Sequence, residues 1–223
     1  MRRTEGSGSI MSDSEKILNP HPVVVLPIPS SEAKPWILGR HYARRMCPIS
    51  FAFGAYEENL LVGVVTYGMP ASPFLCRGVC GAEHSEKVLE LNRLCCENRP
   101  NIASTLVGRS LQLLPKPRIV VSFADCGKGH VGYVYQATNF IYTGCSKERT
   151  DMWSPSGHAR HHCGDPSKRQ HRSAKHRYVF FCGDRRQVRE LKAALKYAPQ
   201  PYPKGESRHY DASAKVLRQL VLV

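Results

Sequence analysis

Lys87-Val-Leu-Glu-Leu-Asn-Arg-Leu-Cys95 is the stretch on which the fold turns, because its side chains alternate with the period of a strand and because a helix and a second strand come after it. Asn101 suits a helix N-cap, and Ala103, Leu106, Val107, Ser110, Leu111 and Leu114 recur at helical spacing until Pro115 stops them. Arg118-Ile-Val-Val-Ser-Phe-Ala-Asp125 is a short apolar run of strand type, ended by Gly127 and Gly129. Strand, helix, strand is a crossover unit. Upstream, Ile49 to Tyr56 and Leu60 to Tyr67 flank Glu57-Glu58-Asn59 and read as a hairpin. Val23 to Ile28 reads as a strand whose Pro27 suits a sheet edge, and Ser30 to Trp36 opens a helix running toward Arg45. Downstream, Val131, Val134, Tyr135 and Thr138 restart a helical face. Arg177 to Cys182 is a further strand, Asp184-Arg-Arg-Gln187 a capping box for a helix ending near Lys196, and Lys215 to Val223 a terminal strand. Hairpin and crossover units together predict an α/β (α+β) domain with a mixed sheet over residues 22–223, after a polar Gly/Ser-rich tail at 1–21.

The 223 residues carry 32 Lys and Arg against 18 Asp and Glu, a formal charge of +14, so the natural partner is a polyanion whose counterions the protein displaces. Nucleic acid is the leading candidate. Charge concentrates at His158 to Arg177, where six Lys or Arg and five His meet only Asp165; this segment reads as an exposed basic loop, with Lys168, Arg169 and Arg172 as DNA contacts. Nine irregularly spaced cysteines, two of them adjacent, do not form a disulfide framework and point to a reducing cytoplasm. No apolar run approaches the roughly 20 residues that span a bilayer, so no membrane role is expected. Cys76, Cys80, Cys95, Cys96, His158, His161, His162 and Cys163 supply ligand types without a recognised zinc spacing, so no structural zinc is expected.

Four elements together resemble the Mom family of phage DNA modification proteins: Glu90-Leu-Asn-Arg-Leu-Cys95, Ala103 to Leu111, Val121-Ser-Phe-Ala-Asp125, and Gly129 to Gly144. His41-Tyr-Ala-Arg-Arg45 joins them, and the resemblance loosens in the basic C-terminal third. It implies an enzyme of the host cytoplasm that converts adenine in duplex DNA to N6-carbamoylmethyladenine and so shields phage DNA from restriction, on a fold similar to GNAT acyltransferases. Those enzymes place the coenzyme pyrophosphate on a Gly-rich turn at a helix start, where free amides attract anions. Arg99-Pro-Asn-Ile-Ala-Ser104 stands there instead, with Ile102 and Ser104 in the place of glycines. Arg99, Ser104 and Thr105 are the candidate cofactor contacts.

Adenine N6 is a weak nucleophile, so its modification needs a base or an activated electrophile beside it. Asp125, at a strand end, is the first candidate for base or for orienting the amino group, and a turn residue bonded to amides is the alternative reading. His41, Tyr42 and Tyr133 supply further titrating groups; Arg44, Arg45, Arg93, Asn139 and Tyr142 are candidate substrate contacts, while Tyr135 falls in the apolar stripe. A carbamoylmethyl group is attached through a CH2 carbon, which thioester attack does not deliver. The resemblance therefore leaves the donor open between an acyl-CoA, a glycine-related unit and iron chemistry, with His41, Tyr42 and Asp125 as the iron ligands to examine. A non-catalytic nucleic-acid-binding regulator and an N-acetyltransferase acting on a protein amine are the other function classes.

Overall fold

The computed structural model describes residues 22–153 and 165–205. The tail at 1–21, positions 158–164 of the basic segment and the terminal strand expected at 215–223 lie outside the described residues. β1 (Val24–Pro27), β2 (Phe51–Glu57), β3 (Leu60–Gly68), β4 (Val88–Cys96), β5 (Arg118–Asp125), β6 (Ile141–Cys145) and β9 (Lys175–Cys182) form one sheet in the order β1-β2-β3-β4-β5-β9-β6. β7 (Arg149–Trp153) and β8 (Asp165–Arg172) form a separate antiparallel ribbon. Five of the sheet's pairings are antiparallel; β4 and β5, joined by α3 (Ile102–Leu113), are parallel. The expected mixed α/β sheet is therefore present, and Pro27 lies on its edge strand as expected.

Both faces of the central strands are covered, which is why their sequences read as continuous apolar runs. On β5, Val120 and Ala124 face the cluster built with Leu106, Val107 and Leu111 of α3 and Val134 and Tyr135 of α4 (Tyr133–Ala137). Ile119 and Val121 face the opposite cluster, with Val79 of α2 (Pro73–Cys80) and Leu191 of α5 (Arg185–Ala193). A third cluster packs Trp36 and Ile37 under α1 (Ser30–Pro35) against Ala52 and Val64. The helix expected toward Arg45 stops sooner: α1 passes into one π turn over Trp36–Arg40, closed by the His41 amide on the Trp36 carbonyl, and the chain is extended at His41. α5 carries the anticipated capping box, Asp184 with Gln187.

Three further elements depart from the sequence reading. α2 occupies what reads as a loose stretch, because Pro73 stands at the first helical positions, where a missing N–H costs nothing. Ile141–Cys145 forms the edge strand β6, against β9. The basic segment is not a loop over its described part: Asp165–Arg172 is strand, paired with Arg149–Trp153, and Lys175 onward belongs to β9.

Candidate active site

The site begins with a defect in β4. Tyr67 pairs with Leu91 and Thr66 with Arg93, so Asn92 is an extra residue opposite one step of β3. Such a bulge bends its strand. Pairing of β4 with β5 ends at Leu91 and Ser122, level with the bulge, and beyond it the two parallel strands run on unpaired with each other. Ligands of open α/β sheets sit outside the carboxyl ends of parallel strands, and this opening is such a place.

The chain after the π turn covers one side of the opening. Asn92 pins it: Nδ2 donates to the Pro48 carbonyl (2.7 Å), while Oδ1 accepts from Thr66 Oγ1 (2.6 Å) and Cys47 Sγ (3.2 Å). Gly68 is required here, since a Cβ would stand 1.9 Å from the Pro48 carbonyl oxygen. His41 is buried, and its Nδ1 accepts the Ala43 amide (3.0 Å), which leaves the ring proton on Nε2. Burial, then the charges of Arg93, Arg45 and His130, push its pKa down to about 3, so at neutral pH it is a neutral imidazole with one N–H to donate. Tyr42, 53% exposed, stacks on His41 (centroids 4.4 Å apart) and meets His130 edge-on at 5.9 Å. From the β5 side, the buried Tyr135 phenol lies close to Ser122 and within electrostatic reach of Tyr42 and Glu90; burial pushes its pKa well up, so it stays protonated. The mouth thus gathers an exposed ring, a neutral imidazole and a protonated phenol, with the Glu90 side chain within electrostatic reach of the phenol.

A profile of the Mom protein family matches residues 22–164, more than half of the chain and the whole of this mouth. The chain belongs to the Mom protein family. The methylcarbamoylase Mom of Escherichia phage Mu is 33% identical over 119 residues, 50% of this chain and 49% of that protein, so the chain matches about half the length of its curated relative. Solved structures similar to it include a GNAT-family acetyltransferase from Streptococcus pneumoniae (12% identity, 60% of this chain and 66% of that one, TM-score 0.37). Another is the ribosomal-protein-S5-alanine acetyltransferase from Vibrio fischeri (12% identity, 72% of this chain and 93% of that one, TM-score 0.44).

Against the Mom resemblance, the residues singled out from sequence divide. His41, Tyr42, Arg45 and Arg93 come together at the mouth. Arg93 braces it: Nε and Nη2 donate to the Arg45 carbonyl (3.4 and 3.3 Å) and Nη1 to that of Asn92 (2.6 Å). Arg44 is exposed in a left-handed turn conformation, φ 41°. Asp125 faces elsewhere, its carboxylate accepting from Ser173 Oγ, the Gly127 amide (3.0 Å) and Lys175 Nζ (3.0 Å) in a 400 Å³ cleft lined also by Gln170, His171 and Arg172. Burial raises its pKa, but the Ser173, Lys175 and Gly127 contacts outweigh it and hold the group below the ordinary carboxylate value. A carboxylate so stabilised is a poor general base; its geometry is that of the turn residue. The Asp125 carboxylate is thus engaged with Ser173, Gly127 and Lys175 rather than with His41 or Tyr42.

Ser104, Thr105 and Asn139 line one 520 Å³ cleft, with Gly108, Gln112 and Lys116, between α3 and α4. Arg99 is engaged with Glu57 and, at 2.8 Å, with Glu97, and no glycine loosens the helix start at Asn101, whose φ is 62°. With Ile102 buried and the Ser104 hydroxyl donating to the Asn101 carbonyl (3.1 Å), the turn does not fit a pyrophosphate cradle. Tyr142, read as freer than Tyr135, is buried too, its hydroxyl 2.9 Å from His176 Nδ1; pairing of β6 with β9 takes it inside. Tyr133 is half-buried beside Gly205. Of the ribbon residues, Lys168 lies over the Trp153 ring (5.4 Å), Arg169 is exposed, and Arg172 bonds Asp151 (3.0 Å). Glu90, Ser122 and Tyr135 are the mouth residues that the sequence reading did not choose. The bulge, the strand register and the packing of α4 on the sheet bring them together.

Proposed function

We propose that this chain modifies adenine in double-stranded phage DNA at N6, adding the carbamoylmethyl group and so protecting that DNA from restriction in the host cytoplasm. The observation that carries the reading is that the segment shared with the Mom family contains every residue of the β4/β5 mouth. An adenine inside duplex DNA is out of reach of such a mouth, so it is flipped out, at a cost of about a few kcal/mol. Tyr42 offers the stacking surface for the flipped base. His41 Nε2–H and the Tyr135 hydroxyl are donors that hold an acceptor atom of base or donor group, and Glu90, within electrostatic reach of Tyr135, is the base that accepts a proton from N6. Asp125 acts one step away, fixing the turn that carries His130 toward Tyr42. The 520 Å³ cleft along α3 lies within the roughly 300–1,000 Å³ of small-molecule sites and takes the donor molecule. The β7–β8 ribbon, with Lys168, Arg169 and His171 exposed, grips phosphates beside the flipped nucleotide.

The test is nucleoside mass spectrometry of DNA from cells expressing the chain. A heavier adenosine species is expected with the unaltered protein and is lost with Tyr42→Ala, a change at a side chain that is 53% exposed. Unmodified DNA in the presence of folded, soluble protein overturns the proposal.

A further inference from the structure

The sheet brings together three metal-ligating side chains that stand far apart in the sequence. Cys126 comes directly after the end of β5, His176 lies at the start of β9, and Cys145 ends β6. β9 runs between the other two strands: His176 pairs in register with Ala124 on one side and with Cys145 on the other. Cys126 extends the β5–β9 ladder by one bond, its amide donating to the Ala174 carbonyl (3.1 Å). The two sulfurs are 3.5 Å apart, and the donor atoms of all three residues lie within 4.8 Å of one another. Among the described residues, no other group of three or more His, Cys, Asp or Glu side chains converges in this way.

We propose that Cys126, Cys145 and His176 bind a soft divalent cation of the zinc class, with one coordination position left for water or a substrate atom. Two sulfurs each about 2.3 Å from a tetrahedral zinc are about 3.8 Å apart, so the observed spacing needs only small side-chain adjustment. Two thiolates and an imidazole are the donor set that favours zinc over the oxygen-seeking cations. The outer shell is also in place. Tyr142 OH sits 2.9 Å from His176 Nδ1 and its ring packs on the imidazole at 5.5 Å, which fixes the ring and leaves Nε2 for the metal. Cys145 is exposed, so a cation has a path in from solvent. Both cysteines are free thiols, and binding replaces their protons by the metal, tying the ends of β5, β6 and β9 together. The assignment stands independently of the adenine reading: the hydrogen bond that orients His41 and the ring contacts of Tyr42 involve none of these three residues.

The full chain, reduced and stripped of metal under anaerobic conditions, is titrated with cobalt(II). One equivalent is expected to produce a thiolate charge-transfer band and intense visible bands of tetrahedral cobalt, both abolished by added zinc. Cys126→Ser and Cys145→Ser should each weaken the metal by about tenfold or more, while Tyr142→Phe keeps the bands and loses affinity by about tenfold. Should the serine variants fold poorly, alkylation of the unaltered chain gives the same answer: zinc is expected to protect Cys145. Absence of the charge-transfer band, its persistence in the doubly substituted chain, or recovery of Cys126 and Cys145 as a disulfide with no metal bound overturns the site.

Discussion

His41 illustrates how much a single buried ring sets. Its pKa is about 3 in the folded protein against the ordinary 6.5, so between those values the unfolded chain holds a proton that the folded chain lacks. Stability therefore rises with pH across that window and is lost as pH falls through it, at about 1.4 kcal/mol for each unit of displacement before any relaxation. Thermal melts at pH 7, 6, 5 and 4 are expected to show a falling midpoint, and His41→Gln, which cannot titrate, to show a shallower fall. An equal slope in both proteins would place the acid sensitivity elsewhere. Asp125 works with the same sign from the other side. Its carboxyl is held below the ordinary 3.8, so its contribution is intact above that value and disappears only as pH drops through the lower folded-state pKa. Asp125→Asn, which leaves Lys175 without its carboxylate, is expected to lower the melting point at pH 7 and to leave the slope between pH 6.5 and 5 unchanged.

At the scale of elements, the β4 bulge is what turns a closed sheet into a site. Asn92 is both the extra residue and the clamp on residues 47–48. Asn92→Ala takes the 2.6 Å acceptor from the buried Thr66 hydroxyl, leaving it only the long Cys47 Sγ contact (3.8 Å), and is expected to cost about 1–3 kcal/mol, with loss of any activity that needs His41 and Tyr42 in place; an unchanged melting temperature would remove the clamp from the account. The strands and α3 were legible because burial on alternate faces writes a period into the sequence, and the α5 cap because both partners lie within four residues. α2 was hidden by prolines that act as helix starters when they fall in the first turn, and β8 by charges that pair across an exposed ribbon rather than with a core. The pair His41 and Tyr42 could be chosen from sequence since they are neighbours. Glu90 comes within reach of Tyr135 through the packing of α4 on the sheet, and Cys126 meets Cys145 and His176 through strand register, neither of which a local pattern encodes.

For the molecule as a whole, a formal charge of +14 predicts binding to duplex DNA that weakens steeply with salt, and the ribbon makes the prediction specific. Lys168 and Arg169 are exposed, and Lys168 holds its charge over the Trp153 ring, whereas Arg172 is only partly exposed and paired with Asp151. Each phosphate contact contributes about 0.9 to the slope of log affinity against log salt. Neutralising Lys168 and Arg169 to Gln should therefore reduce that slope by about two and weaken binding alike on every sequence, because phosphate contacts carry no base information. Arg172→Gln, which first breaks an internal pair, should change the slope less and the melting temperature more. Fluorescence anisotropy with two unrelated duplexes across a salt series, alongside thermal melts, separates the two classes of residue. If the slope of the Lys168→Gln, Arg169→Gln protein matches that of the unaltered chain, the ribbon does not touch the phosphates.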